Sequence, residues 1–348
     1  MIRVNAEKLR RTVEATFTAL GLTREDAAIV ADALVQADLW GVSSHGVSNY
    51  IESIYVPGLE GGRINARPRF EVVRESSVSA VVDGGGGMGH VVGRRAMEMA
   101  IDKALSHGIG VVAARGSRHY GMAGYYSMLA LEHDLIGVSL TNADVLVMPT
   151  HGRKPRVGTN PISVAVPAAT EPPFLLDMAT SAVPLGKVLL HRRAGEPMPL
   201  GWAADRGGVP TTDAAVAADA FRLMPLGSSH ELGSHKGYSL GVLVDVLAGL
   251  LSGAGVSMDE GLGHQVGHFF AALRIDLLRS PKVFKEEMDS MLRRLRETPS
   301  LGDEPVIYAG FKEYCAEQDR LREGIPLHRQ VLDYLRDLCA RLEVHCEV

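Results

Sequence analysis

Four short stretches put proton-moving or anion-holding side chains into turns rich in glycine, serine and threonine rather than onto amphipathic faces. They are Ser43-Ser44-His45-Gly46, Ser117-Arg118-His119-Tyr120-Gly121, Gly158-Thr159-Asn160-Pro161 and Gly233-Ser234-His235-Lys236-Gly237-Tyr238. A fifth, Asp177-Met178-Ala179-Thr180-Ser181, follows the apolar run Phe174-Leu175-Leu176. Imidazole is the side chain that best moves a proton near neutral pH. A single histidine in a loop is commonly solvated or bonded to backbone. Two in matching serine and glycine settings, His45 and His119, point instead to acid/base work. Lys236 stands ahead of a largely apolar helix and reads either as a surface lysine or as a cation that meets an anionic ligand alongside backbone N–H groups. Arg153-Lys154-Pro155-Arg156 is a short basic stretch, either a solvated loop or an attractor of anionic substrate.

Two further patterns carry less. Asp83-Gly-Gly-Gly-Gly-Met-Gly89 contains G-x-G-x-x-G between a strand and a helix, the order a dinucleotide-binding fingerprint needs. Asp83, however, sets a carboxylate where phosphates would sit. The next strand ends Ala113-Ala114-Arg115, with no acid to hold a ribose hydroxyl. A turn at the edge of a ligand site is the preferred reading. His264 and His268 have metal-ligand spacing for a helix, but Gly263 and Gly267 interrupt one and His268 opens a strand. No metal site is expected, and nothing resembles a nucleophile elbow, a Walker loop or a zinc framework.

Positioning these turns requires a scaffold, and its outline is readable. Leu9, Val13, Phe17 and Leu20 make one helical face over Ala6 to Leu20, stopped by Gly21. Thr23 caps a second helix whose stripe is Ala27, Val30, Ala31, Leu34 and Ala37. A helix over Val47 to Tyr55 is predicted to end before Pro57. From about residue 68 short β-branched runs alternate with helical stretches. Strands are predicted near 70–73, 78–82, 110–114, 137–141, 162–166, 174–176 and 268–275, with helices over 93–105 and 123–132. The segment 237–251 reads as a helix buried on most sides. Past Pro281 charged amphipathic helices return at 283–297, 311–323 and 327–342. The expected division is an N-terminal helical segment 1–74, an α/β domain 75–278, and C-terminal helices 279–348 packing with the N-terminal segment.

Composition narrows the function class. The 348 residues are 46% hydrophobic, too apolar for disorder, and 36 Lys+Arg against 41 Asp+Glu leave none of the basic excess of a nucleic-acid binder. No apolar run is long enough to span a bilayer, and no leader pattern opens the chain. Cys315, Cys339 and Cys346 are odd in number and not spaced for zinc, so they read as reduced thiols. A cytoplasmic enzyme with no nucleic-acid or membrane partner is the expectation.

Taken in order along the chain, the clusters resemble the malate/lactate dehydrogenase family of the second type, which includes ureidoglycolate and sulfolactate dehydrogenases and cyclic-imine reductases. The match runs through Asp38-Leu39-Trp40-Gly41, Ser44-His45-Gly46-Val47, Ser117-x-His119-x-Gly121 and Thr141-Asn142. It continues through Gly158-Thr159-Asn160-Pro161, Asp177-Met178-Ala179-Thr180-Ser181, Gly186-Lys187, Lys236-Gly237-Tyr238 and Gly324-Ile325-Pro326-Leu327. The resemblance implies an α/β fold whose NAD(P)-binding domain is not of the Rossmann type, joined to a helical domain built from the N- and C-terminal segments. It further implies a homodimer with the active site near the subunit interface. The substrate would be a small 2-hydroxy or 2-keto acid, or alternatively a cyclic imino acid, and the cofactor NAD or NADP, with NAD favoured. Carried over position by position, His119 and His45 would be the acid/base residues. Ser44, the residue Asn49, Gly158 and Thr159 would hold substrate, and Gly121, Asp177, Met178, Ala179 and Lys236 would hold cofactor. Two departures stand out. Asn49 replaces an arginine able to grip a substrate carboxylate, so either Arg118 or Arg153 substitutes or the substrate differs. Ala309-Gly310-Phe311 replaces a Pro-Gly-Glu-like cofactor contact.

Overall fold

The computed structural model describes residues 1–259 and 265–348. A short strand, β1 (Ile2–Val4), leads into helix α1 (Ala6–Ala19). The predicted stripe of α1 is its buried face, with Leu9, Val13 and Phe17 fully enclosed. Helix α2 (Arg24–Leu39) starts where Thr23 accepts the amide of Asp26 at 3.0 Å, the expected cap. After the turn at 41–46 come α3 (Val47–Tyr50), a π-helical turn Ile51–Tyr55, and α4 (Val56–Glu60). The helix predicted to stop before Pro57 therefore continues through it. Pro57 lies in the first turn of α4, where a missing N–H costs little.

The central sheet is assembled from β2 (Glu71–Glu75), β3 (Ser79–Asp83), β4 (Ile109–Ser117), β5 (Leu135–Thr141), β6 (Ile162–Val166) and β7 (Phe174–Met178). Helix α5 (Gly89–His107) crosses from β3 to β4, and α6 (Ala123–Leu129) precedes β5. An excursion of α7 (Leu185–Ala194), β8 (Ala203–Ala204), β9 (Pro210–Thr211) and α8 (Ala214–Ala220) has its own small apolar cluster around Val188 and Leu223. The chain returns through α9 (Ser234–Val244), extended by a π-helical turn Asp245–Leu250, to β10 (Val266–Arg274). It ends in α10 (Pro281–Arg296), α11 (Phe311–Glu323), β11 (Ile325–Leu327) and α12 (Arg329–Arg341).

The seven strands run in the order β2-β3-β4-β10-β5-β6-β7. Only β3 and β4 are parallel; every other neighbouring pair is antiparallel. A Rossmann sheet is built of parallel strands, so this α/β fold is of another type. The glycine loop agrees. The amides of Gly84, Gly86 and Gly87 go to Arg115 O, Gly116 O and Gly84 O, and that of Gly85 to Asp83 Oδ1 at 3.0 Å. The four amides of Gly84–Gly87 are therefore spent within the protein and do not cradle a phosphate.

The chain ends meet in space, where β1 pairs antiparallel with β11. Leu332, Leu335 and Leu338 of α12 join the same buried cluster as Leu9, Val13 and Phe17. Helix α10 packs elsewhere: Asp289 accepts the amides of Ala169, Thr170 and Glu171 and the Thr170 hydroxyl. Helix α9 departs from its sequence reading. Gly241, Val244, Asp245, Ala248 and Gly249 face inward, while Val242, Leu243, Val246, Leu250 and Leu251 are exposed, up to 60% at Leu250. The segment is apolar all round, but only its small-residue side approaches the sheet closely. The expected burial on most sides is not found.

Candidate active site

His45 owes its place to a buried carboxylate. Asp38, near the end of α2, is fully enclosed, and its Oδ2 accepts the Val47 amide at 2.8 Å. That hydrogen bond starts α3 and folds the 43–46 turn back onto α2. Gly46 is required for the approach, because a Cβ there would fall within 2.5 Å of Asp38 Oδ2. Burial pushes the Asp38 carboxyl up to about 7, partly opposed by the Val47 amide, Ser43 and the Arg320 guanidinium. Inside the turn, Ser44 Oγ lies 3.0 Å from His45 Nδ1, and Asn49 Nδ2 donates to Ser44 O at 2.9 Å. The Asn49 amide thus braces the turn that carries His45.

His119 leaves the end of β4 and meets Tyr55, whose hydroxyl is 2.7 Å from His119 Nδ1. The π-helical turn delivers that hydroxyl, a local widening found often at functional sites. The rings of His45 and His119 stack with centroids 5.7 Å apart and planes 15° from parallel. Tyr50 stands edge-on to both, 4.5 Å from His119 and 5.7 Å from His45. Both histidines are half-buried. Burial lowers the His45 pKa to about 4. It lowers that of His119 well below the ordinary value, helped by His45, His90 and His268 nearby. Both imidazoles are therefore neutral at pH 7 and able to accept a proton.

Two further histidines stand behind them. His90, in the first turn of α5, is fully buried with neither ring nitrogen hydrogen-bonded, beside Gly121 at φ 77°. His268 sits in β10 between Thr141 Oγ1 at 2.8 Å and Ser117 Oγ at 2.7 Å, stacked on Tyr120. Both of its nitrogens are spent on hydroxyls that tie β4, β5 and β10 together. His264, its partner in the metal spacing, lies outside the described residues. Among the described residues no cluster of three His, Cys, Asp or Glu is placed to hold a metal ion.

The remaining clusters are tied by hydrogen bonds to α6, to α9 and to one another. Asp177 Oδ2 accepts the Gly124 amide at 2.7 Å at the start of α6. Thr159 O accepts the Thr180 amide at 2.8 Å. Asn160, fully buried, accepts the Ala143 amide through Oδ1 at 2.9 Å and donates to Gly241 O of α9 at 2.8 Å. Gly158 is packed so closely that a side chain there would strike the Ala143 carbonyl. Lys236, in the first turn of α9, is exposed and makes no ion pair among the described residues. No hydrogen bond or ring contact joins it to either histidine. The segment around Ala309 and Gly310 docks on β7 beside Asp177, with Leu175 N donating to Ala309 O at 2.9 Å.

Of the two arginines considered as replacements for one at Asn49, Arg118 is engaged elsewhere. Its Nε donates to Arg63 O and its Nη1 to Ser117 O, each at 2.8 Å, and it lines the cleft of Asp83, Gly85 and Arg115. Arg153 is exposed. Sequence reasoning passed over Tyr50, Tyr55 and His90. The five-residue step from Tyr50 to Tyr55 fits a π turn and would not place both on one face of an α-helix.

A family model for malate/L-lactate dehydrogenase matches residues 4–336. The chain belongs to the malate/L-lactate dehydrogenase family. It is 43% identical over 349 residues to malate dehydrogenase of Pyrococcus horikoshii, covering 99% of this chain and 96% of that protein. It is 35% identical to L-sulfolactate dehydrogenase of Methanocaldococcus jannaschii, covering 94% and 93%. The crystal structure of malate dehydrogenase from Entamoeba histolytica superposes with a TM-score of 0.95 at 34% identity, covering 99% of each chain. As a family member the chain is an NAD(P)-dependent dehydrogenase acting on a small hydroxy or keto acid. No helix among its described residues is long and apolar enough to cross a membrane.

The donor set suits a nicotinamide dinucleotide. Lys236 offers an unpaired cation for a phosphate, and Asp177 keeps Oδ1 without a hydrogen bond among the described residues, an acceptor for a hydroxyl or amide.

Proposed function

We propose that this family member interconverts a malate- or lactate-like 2-hydroxy acid and its 2-keto acid, with His119 moving the oxygen-bound proton and His45 assisting. The observation that carries the reading is the stacked pair of neutral imidazoles at 5.7 Å. Nε2 of His119 has no partner among the described residues, while Nδ1 is held by Tyr55. In oxidation the alcohol proton passes to that nitrogen; in reduction the imidazolium returns it. The nicotinamide, when bound, supplies the hydride exchange at carbon. Ser44, Asn49, Gly158 and Thr159 lie on the substrate side of this reading. Gly121, Asp177, Met178, Ala179 and Lys236 lie on the cofactor side. The cofactor in this reading is NAD or NADP, with NAD favoured.

The exposed apolar stripe of α9 supports a homodimer. Leu243, Val246 and Leu250 lie at helical spacing on one side of the segment whose first turn carries Lys236, so a second copy covering them would lie beside the site. Three unpaired cysteines suit a reducing cytoplasm.

The test is a panel of 2-keto acids and cyclic imines scanned at the nicotinamide band with NADH and NADPH. Turnover of an imine but no keto acid would replace this reading with a cyclic imino-acid reductase. His119→Gln is expected to lower kcat by about 10²–10⁴-fold with cofactor affinity kept. Retained turnover with lost cofactor binding would reverse the assignment. Leu243→Glu, followed by sedimentation, is expected to give monomers.

A further inference from the structure

We infer that Tyr55 is the positioning residue of this site: its hydroxyl selects which nitrogen of His119 faces the substrate and keeps it aimed as the proton arrives and leaves. The inference rests on the acid/base reading of His119. Tyr55 is fully buried, and His119 Nδ1, at 2.7 Å, is the only hydrogen-bond partner of its hydroxyl among the described residues. The phenol ring is wedged between Phe17, Tyr50 and His90, with centroids 6.5, 6.2 and 5.0 Å away. That packing fixes the ring and leaves the hydroxyl one productive direction. The position depends on the π turn, because removing one residue from Ile51–Tyr55 would swing the phenol by about 100° around the helix axis.

A phenol oxygen both donates and accepts. With the neutral ring protonated on Nε2, Tyr55 donates its O–H to Nδ1. With Nδ1 protonated, Tyr55 Oη accepts from it, and Nε2 is free to take the substrate proton. In oxidation the alcohol O–H bond breaks, an N–H bond forms at Nε2, and the carbon-bound hydrogen leaves with its electron pair to the nicotinamide. Nδ1–H stays on Tyr55 Oη, and the phenol keeps its own proton. Burial holds the phenol pKa well above its ordinary value, so Tyr55 orients and does not itself ionise. The titratable groups facing His119 are His45 and Tyr50 beside it, Tyr55 from the π turn, His90 from α5 and His268 from β10. Of these, Tyr55 alone is hydrogen-bonded to the ring.

The test is Tyr55→Phe, which keeps the ring and deletes the hydroxyl. An N–H donated by an imidazolium to Tyr55 Oη stabilises the charged ring, so the variant is expected to lower the His119 pKa by about one unit. The pH above which keto-acid reduction fails shifts down by the same amount. We expect kcat to fall about 10- to 100-fold, with KM and cofactor Kd within twofold. A second readout needs no turnover. Ring ¹⁵N shifts of His119 in the cofactor-free protein, assigned with His119→Gln, should show a hydrogen-bonded Nδ1 in the wild type and a redistributed tautomer in Tyr55→Phe. Wild-type ¹⁵N shifts together with an unmoved pH profile in the variant would overturn the inference. If the variant does not fold, the wild-type spectrum decides, and an Nδ1 without a hydrogen bond overturns it. An active His119→Gln would instead overturn the functional reading. An inactive His119→Gln beside an unimpaired Tyr55→Phe would overturn the Tyr55 inference alone.

Discussion

Gly46→Ala tests how the buried Asp38 carboxylate holds His45 in place. The backbone at Gly46 has φ −90°, which alanine adopts without strain, so the whole effect comes from contact. The added methyl would lie within 2.5 Å of Asp38 Oδ2 and displace the carboxylate from the Val47 amide it caps at 2.8 Å. Overpacking a closed site costs about 1–3 kcal/mol. Losing a hydrogen bond to this buried carboxyl adds about 1 kcal/mol. The sum is a loss of about 2–4 kcal/mol in urea unfolding. The turn carrying His45 moves with it, and a shift of about 1 Å in a catalytic group costs on the order of 10²-fold in kcat/KM. Asp38→Ala in the same chain removes the carboxylate that the methyl strikes. The double variant is therefore expected to be more stable than the two single losses summed, a coupling between adjacent residues. Gly46→Ala within about 0.5 kcal/mol of wild type, or a double variant with additive losses, would refute the reasoning.

Asp289 gives a prediction with a pH signature. Burial opposes its ionisation, but donors from Thr170, Glu171 and Ala169 pull its carboxyl down to about 2. Because the folded-state value lies below the unfolded one, its contribution of about 2 kcal/mol is complete above about pH 4 and is lost as pH falls toward 2. Asp289→Asn should be less stable by that amount at pH 7, with the gap closing in acid; a gap independent of pH would count against the account. Lys236→Met should raise the cofactor Kd about 10- to 100-fold, read by nicotinamide fluorescence, with kcat little changed. An unchanged Kd would remove Lys236 from the cofactor side.

What was legible in the sequence follows what is local. The α2 stripe of Ala27, Val30, Ala31, Leu34 and Ala37 and its Thr23 cap need only a helix and a core, and the structure has both. His45 and His119 stand out because two histidines recur in matching serine and glycine settings, where one alone would read as solvated or backbone-bonded. Asn49 was visible as a residue type, but its bond to Ser44 O depends on the path of the turn. Tyr55 and His90 reach the site through a π turn and a helix start that no apolar periodicity announces. Helix α9 misled for a geometric reason: its apolar composition runs all round, but only the side with small residues comes close enough to the sheet to be buried.

The antiparallel strand β10 lies at the middle of the sheet although its residues follow those of β5 by more than a hundred positions. During synthesis the ladders β2-β3-β4 and β5-β6-β7 can form early, but each keeps a bare edge, β4 and β5, until residue 274 has emerged from the ribosome. His268 arrives on that same strand and bridges Ser117 to Thr141. The nascent enzyme thus carries two sticky half-sheets from the emergence of Met178 to that of Arg274, and one late insertion both seals them and completes the support beneath His119.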